Sequence, residues 1–277
     1  MSKSIYTSGL SGFIGKNLLP HLLTTYDQII NFERDNRASV YSKSGKKSIE
    51  ISEELSNQYS AEHLIHLATL YRPNSKSIDE LNEVYQSNVK FILDIVEGFF
   101  QKQEIEIINI SSYMQLLDIK YQNSYSLSKE IVSMFLKDNN YRHKNIYLFD
   151  SFGTNDIRNK VTDTFIRHVI ANNDIRMPAN DISINLSYVD DVCYSIFKAI
   201  DLPEGNYSIM SENSITLLDL SKMIMKALSR EVRIERSGIA VNYLDEIRNL
   251  PKNIFVCNES KSLAERLNER IDEIAQT

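Results

Sequence analysis

The chain has 277 residues, 42% hydrophobic and 25% charged, proportions that exclude a predominantly disordered chain and leave room for one large α/β domain with a small lobe. A formal net charge of −6 excludes nucleic-acid binding through overall charge. The cysteines, Cys193 and Cys257, are too few for a disulfide framework or a zinc cluster. Met1 to Tyr6 runs straight into a strand pattern, and we find neither a signal peptide nor an apolar run of about 18 residues, so a cytoplasmic protein with no membrane span is expected.

In chain order, short apolar runs alternate with amphipathic segments. The first strand is expected at Ser4 to Ser8, followed by a glycine-bearing loop and a helix from Ile14 to Leu23 with Ile14, Leu18, Leu19 and Leu22 on one face. Strands follow at Gln28 to Phe32 and His63 to Leu67. A long helix spans Ile78 to Phe100, with Leu81, Val84, Tyr85, Val89, Ile92 and Ile95 at three- and four-residue steps. Strands at Glu104 to Ile110 and Asn145 to Phe149 enclose a helix from Ser124 to Asn139. This alternation implies parallel strands joined by right-handed crossovers, a Rossmann-like doubly wound α/β sheet buried on both faces. After about residue 150 the pattern loosens into polar stretches at Ser151 to Asn159 and Asn172 to Asn180. Helices are expected near Lys160 to Ala171, Val189 to Ala199, Thr216 to Leu228 and Lys261 to Ala275. Residues 1–150 are therefore read as the main domain, and residues 151–277 as a smaller lobe interleaved with its sheet.

Three of only eight glycines fall within Gly9-Leu10-Ser11-Gly12-Phe13-Ile14-Gly15, between the first strand and the first helix. That context is the one in which such a loop binds a dinucleotide. Gly9 permits the tight turn, Gly12 lets a pyrophosphate approach the backbone, and Gly15 allows close packing, while the helix end offers free N–H groups and a positive dipole. The second strand ends in Asn31-Phe32-Glu33-Arg34. Glu33 suits the ribose hydroxyls of NAD. Arg34 suits the 2′-phosphate of NADP, and Arg37, Lys43, Lys46 and Lys47 just beyond it make a local basic run, so NADPH is the expected cofactor and NADH the alternative. An ordinary solvated loop is the plainer reading of that run.

Tyr125 and Lys129 lie four apart on a helix, hence on one face. The spacing alone is uninformative, because Tyr194 and Lys198 repeat it. Context separates the two: the strand before Tyr125 ends in Ser111-Ser112 at the edge where doubly wound sheets bind ligands, whereas Tyr194 is expected to be a packing residue. Hydride chemistry at a carbon–oxygen centre needs a proton donor or acceptor for the oxygen. Tyr125 fits that role, Lys129 lowers its pKa and holds the nicotinamide ribose, and Ser112 hydrogen-bonds the reacting oxygen.

These features, with His66-Leu67-Ala68-Thr69, Tyr85-x-x-Asn88-Val89 and Tyr188-Val189-Asp190-Asp191-Val192 in order, resemble the extended short-chain dehydrogenase/reductases. Within them the chain resembles the NAD-dependent epimerase/dehydratase group that acts on nucleotide-activated sugars, and most of all the 4-reductases of the CDP-abequose and CDP-paratose synthase kind. The resemblance implies a cofactor site including Leu67, Ala68, Thr69 and Asn88 alongside the glycine loop, Tyr125 and Lys129. It implies a substrate site of Thr69, Ser112, Tyr113, Ser151, Phe152, Gly153, Asn159 and Lys160, with Asn88 bracing the Lys129 region. Ile184-Asn185-Leu186-Ser187 lacks the arginine usual before Tyr188, leaving Arg158, Arg176 or Arg236 as replacements.

Dehydratases of the group carry an Asp-Glu pair after the serine position. Here Tyr113-Met114-Gln115 follows Ser112, which argues against dehydration. The expected function is NAD(P)H-dependent reduction of a nucleotide-linked 4-keto-6-deoxy or 3,6-dideoxy sugar, in deoxysugar or O-antigen-type surface polysaccharide biosynthesis. The alternatives are a nucleotide-sugar 4-epimerase with bound NAD and a non-catalytic dinucleotide sensor. His63 and His66 point to opposite faces of a strand, and no metal site is expected. The charges of Glu265 to Glu273 are read as the solvated side of a terminal helix. The helices Ile78 to Phe100 and Ser124 to Asn139 are the pair that relatives use to form homodimers.

Overall fold

The computed structural model describes residues 3–51, 58–100, 105–256 and 261–276. Glu104 and Cys257, both invoked above, lie outside them. The central strand is β1 (Ser4–Ser8), with all five residues buried. It leads through the glycine loop into α1 (Phe13–Leu23) and then to β2 (Gln28–Glu33), which pairs parallel to it. The chain next reverses twice, as β3 (Arg37–Ser42) and β4 (Gly45–Glu50), antiparallel to their neighbours. It then returns to the other side of β1 as β5 (His63–His66), and continues outward through β6 (Glu106–Ser112) and β7 (His143–Leu148), all parallel. With β12 (Gly205–Met210) and β15 (Asn253–Val256) the nine-stranded order is β15-β12-β7-β6-β5-β1-β2-β3-β4. The direction of travel reverses at β1, so a crevice opens at the carboxyl ends of β1 and β5, the switch point at which such sheets bind ligands.

Two apolar clusters confirm burial of both faces. Ile5 of β1 packs with Leu18, Leu22, Val192 and Ile196 on one side, while its neighbour Tyr6 packs with Ile92, Ile95, Val132 and Leu136 on the other. The basic run after Arg34 is the hairpin β3–β4 and not a loop. Ala38 and Val40 are buried while β4 is exposed along most of its length; lysines on such an edge strand discourage further pairing, and they hid the short period-2 pattern.

The long helix is interrupted: α2 (Ile78–Tyr85) passes through a π-helical turn at Gln86–Lys90 into α3 (Phe91–Phe99). A π turn rotates the following residues, and here it buries Asn88 completely. The α4 helix (Ser124–Asp138) precedes β7.

Beyond residue 150 three small sheets lie outside the main one. They pair β8 (Asp150–Phe152) with β11 (Leu186–Tyr188), β9 (Ile175–Met177) with β14 (Ile234–Arg236), and β10 (Ser183–Ile184) with β13 (Ile215–Thr216). Their helices are α5 (Val161–Ile170), α6 (Val189–Ala199), α7 (Leu217–Ala227) and α8 (Leu263–Ala275).

The polar face of α8 is not all solvated. Arg266 and Arg270 are buried, Arg266 against Asp191 at 3.1 Å and Arg270 Nε against Asp163 at 3.0 Å. A period reading cannot find these pairs, because their acidic partners lie far away in sequence. No helix among the described residues is long and apolar enough to cross a membrane.

Candidate active site

A cleft of about 900 Å³ runs along the carboxyl edge of the sheet, from the glycine loop and Arg34 at one end to Ser112, Tyr113, Asp150 and Lys160 at the other. Gly9 has φ of +85°, and a Cβ there would sit 2.5 Å from the Ala68 backbone nitrogen. A Cβ on Gly15 would meet the Gly9 carbonyl at 2.4 Å, so this glycine lets α1 press onto the loop itself. Gly12 differs: a Cβ would meet only the Gly9 carbonyl, at 3.3 Å, and internal packing does not demand glycine. Gly12 lines the cleft and caps α1 without a side-chain hydrogen bond, leaving the first-turn N–H groups for a ligand anion. The loop therefore fits a dinucleotide pyrophosphate. Asn31, which sequence reasoning missed, fixes it by accepting the Leu10 N–H at 3.1 Å.

At the ribose end, Glu33 accepts from Ser39 Oγ at 2.6 Å and has Lys46 3.7 Å away, while Arg34 donates to Ser87 Oγ at 3.2 Å. Glu33 is thus partly neutralised, and both side chains line the cleft together with Phe13 and Ile14.

At the chemical end, Ser112 closes β6 and caps the short turn Tyr113–Leu116, with its Oγ accepting from the Met114 N–H at 3.3 Å. The side chain of Asn123 caps α4 by accepting from Ser126 N at 3.0 Å, which fixes the first turn, where Tyr125 sits. Lys129, one turn on, donates to the Ile110 carbonyl at 3.0 Å. Thr69, Tyr125, Ser112 and Lys129 all face the same cleft. Asn88 does not line it. Instead it accepts from Leu70 N at 2.6 Å and donates to Ser128 Oγ at 2.9 Å, tying the Thr69 segment to α4 from behind.

Burial pushes the Tyr125 phenol up to about 12, against the pull of hydrogen bonds from Ser112 and Thr69, and pushes the Lys129 ammonium down to about 8. The expected lowering of Tyr125 by Lys129 is therefore not what dominates here: desolvation acts on both, and the groups favouring phenolate are Ser112, Arg158 and Thr69. His66 on β5 is fully buried, with Nδ1 2.8 Å from Ser8 Oγ, and burial, assisted by the Lys129 charge, holds it neutral. His63 instead meets Glu106 at 3.2 Å. Among the described residues no group of three or more His, Cys, Asp or Glu is arranged to hold a metal.

Of the expected substrate residues, Tyr113, Ser151 and Lys160 line the cleft and Tyr113 stacks on Phe149 at 5.0 Å. Phe152 and Gly153 do not: Phe152 is fully buried against Tyr188, and Gly153 packs beneath Tyr188 and Val189. Asn159 is exposed at φ of +52° and likewise outside the lining, because the left-handed turn there directs the chain on to Lys160. Tyr194 packs near His21, at 6.3 Å between rings.

Among the three candidate arginines, only Arg158 reaches the cleft. Its guanidinium lies 4.0 Å over the Phe13 ring and is held by Asp156 and the Ser151 carbonyl, whereas Arg176 and Arg236 pair with Glu235 and Asp181 elsewhere. Sequence reasoning also missed Tyr71, whose ring meets Tyr125 edge-on at 4.9 Å, and Asp150. An isolated acid at the end of a buried strand was the available signal for Asp150.

A switch-point crevice with a phosphate-ready glycine loop, leading to a Ser, Tyr and Lys set, defines a nicotinamide-dinucleotide-dependent oxidoreductase of the short-chain type. The chain belongs to the NAD dependent epimerase/dehydratase family, which it matches over residues 5–209. Among curated proteins it is similar to CDP-abequose synthase of Yersinia pseudotuberculosis, 29% identical over 214 residues covering 73% of this chain and 75% of that protein. Among solved structures it is similar to the UDP-glucuronic acid 4-epimerase of Bacillus cereus in complex with UDP-glucuronic acid and NAD (TM-score 0.73, 13% identity, 99% of each chain). It is likewise similar to the UDP-N-acetylglucosamine 4-epimerase of Methanobrevibacter ruminantium (TM-score 0.69, 18% identity, 100% and 99% covered).

Proposed function

We propose that this enzyme is an NADPH-dependent reductase of a nucleotide-linked 4-keto-6-deoxy or 3,6-dideoxy sugar, with Tyr125, Lys129 and Ser112 as its catalytic residues. The observation that carries the reading is the position of the Tyr125 phenol, which lines the cleft with Ser112 and Thr69 and whose pKa burial raises. A phenol held well above neutral pH suits a group that gives a proton to a developing alkoxide. Bound, the reduced dinucleotide supplies the hydride to the carbonyl carbon. Tyr125 Oη donates its proton to the carbonyl oxygen, Ser112 Oγ donates a hydrogen bond to that same oxygen, Lys129, anchored on Ile110, orients a ribose, and Ser112, Arg158 and Thr69 favour the phenolate left behind. The turn after Ser112 offers no carboxylate pair for water elimination.

Glu33 with Lys46 beside it, and Arg34 nearby, favour a 2′-phosphate over a bare ribose. Residues 151–277 act as the substrate lobe on this reading, with Arg158 and Lys160 lining the cleft on the side where the pyrophosphate would lie. The relative's name, CDP-abequose synthase, supports a deoxysugar pathway, and the cytoplasm is the compartment consistent with it.

Leu127, Ile131 and Met134 on α4 and Ile78, Leu81 and Tyr85 on α2 form exposed apolar stripes, which support a homodimer through these helices. The functional test is NADPH oxidation on nucleotide-linked 4-keto-6-deoxyhexoses. A 4-epimer accumulating with no net NADPH consumption would instead identify an epimerase.

A further inference from the structure

Asp150 begins β8, lines the substrate end of the cleft and is only partly exposed. Among the described residues no hydrogen-bond donor and no ion-pair partner within 4 Å meets its carboxylate. Its charged neighbours are engaged elsewhere: Arg158 holds Asp156 and the Ser151 carbonyl, and Lys160 Nζ sits 3.6 Å over the Tyr71 ring. Tyr113, on the turn after β6, completes the surround, and the charge of Asp150 helps to raise its phenol. The carboxyl therefore faces the cleft without a donor from the protein, and burial pushes its pKa up to about 6 in spite of Lys160 and Arg158. A partnerless carboxylate beside a region suited to pyrophosphate weakens anion binding unless it does something else.

We infer that Asp150 is a specificity-determining residue that accepts a hydrogen bond from an uncharged hydroxyl of the sugar and discriminates against ligands bringing negative charge to that position. The inference rests on the nucleotide-sugar reading above. It adds a charge selection that neither the Ser, Tyr and Lys set nor the glycine loop supplies.

The groups able to disturb a pH readout are those facing Asp150, namely Tyr113, Arg158 and Lys160, with Tyr71 and Tyr243 one layer out. Asp150 is the one carboxyl in this group.

The experiment uses the full chain loaded with NADP and calorimetric binding at pH 8. UDP-, CDP- and dTDP-glucose identify the nucleotide that binds; with that nucleotide, the glucose conjugate is compared with the bare nucleoside diphosphate, whose terminal phosphate carries extra charge. In Asp150→Asn the conjugate is expected to bind about tenfold more weakly, since a hydrogen bond to a charged acceptor is lost, and the diphosphate severalfold more tightly. The pH dependence gives a second readout: from pH 8 to pH 5 the wild-type affinity for the conjugate should fall relative to that of Asp150→Asn, the Lys129 ammonium, pushed down to about 8, being common to both proteins. If both ligands shift in the same direction, or neither shifts, Asp150 does not select charge and the inference fails while the nucleotide-sugar reading stands. If none of the three conjugates binds, the nucleotide-sugar reading fails and takes this inference with it.

Discussion

The uncompensated carboxyl of Asp150 has a consequence for stability that can be measured without any substrate. Its pKa in the folded protein is about 6, against a usual carboxylate value of 3.8. Roughly two units of displacement correspond to about 3 kcal/mol; partial exposure of the side chain to cleft water reduces this to about 1–2 kcal/mol. The folded state holds this proton to higher pH than the unfolded state does, so this group costs stability as pH rises from about 4 to about 6, and the cost persists above that. Asp150→Asn removes the titration with little change of volume. The variant should match wild type near pH 4 and exceed it by about 1–2 kcal/mol above pH 7, an increase of roughly 2–6 °C in Tm. Urea unfolding of both proteins at pH 4, 5, 6 and 7.5 reads the difference curve. A variant less stable than wild type at pH 7.5 would mean that the carboxylate has a favourable partner, and a difference independent of pH would mean that folding does not displace its pKa; either would refute the reasoning.

Tyr125→Phe removes the proton donor while leaving the cleft intact: turnover should fall by about a hundredfold to ten-thousandfold with NADPH affinity kept, and stopped-assay product analysis beside fluorescence titration checks both; retained turnover would point to another acid. The two inner glycines should separate cleanly. Gly15→Ala, blocked by the Gly9 carbonyl and Leu10 at 2.4 Å, should cost about 1–3 kcal/mol of stability, whereas Gly12→Ala should fold normally and lose dinucleotide affinity; unfolding curves and cofactor titrations of both variants decide. Arg270→Met leaves Asp163 charged and buried and should destabilise the protein by about 3–5 kcal/mol, whereas a shift below about 0.5 kcal/mol in urea unfolding, as is usual at the surface, would mean that the pair is solvated.

The positions of the strands near the cofactor were legible because the parallel strands β1, β2, β5, β6 and β7 are largely buried and read as apolar runs. The glycine loop was legible because so few other glycines compete with it. The hairpin β3–β4 was not, since an edge strand carrying Lys46 and Lys47 has the composition of a loop. The π turn at Gln86–Lys90 leaves no mark in an otherwise helical period, yet it sets the burial of Asn88. Arg266 and Arg270 look like solvent charges until Asp191 and Asp163 are brought beneath them by the fold. The Tyr and Lys pair could be chosen over Tyr194 and Lys198 only through the preceding strand and serine pair; their opposed displacement by burial depends on packing and could not be read from spacing. Arg158 could be selected from three arginines only once Asp156 and Phe13 were seen to hold it.

On the reductase reading proposed above, hydride passes from NADPH to a sugar carbonyl carbon. The most direct measurement is mass and NMR analysis of the sugar formed when NADPH deuterated at the transferring position is supplied with a nucleotide-linked 4-keto-6-deoxyhexose. A reductase places one deuterium at C4 of the product for each NADPH oxidised, and Tyr125→Phe forms essentially none of it. A C4-inverted sugar formed from a 4-hydroxy substrate, free of deuterium and with no NADPH consumed, would contradict it.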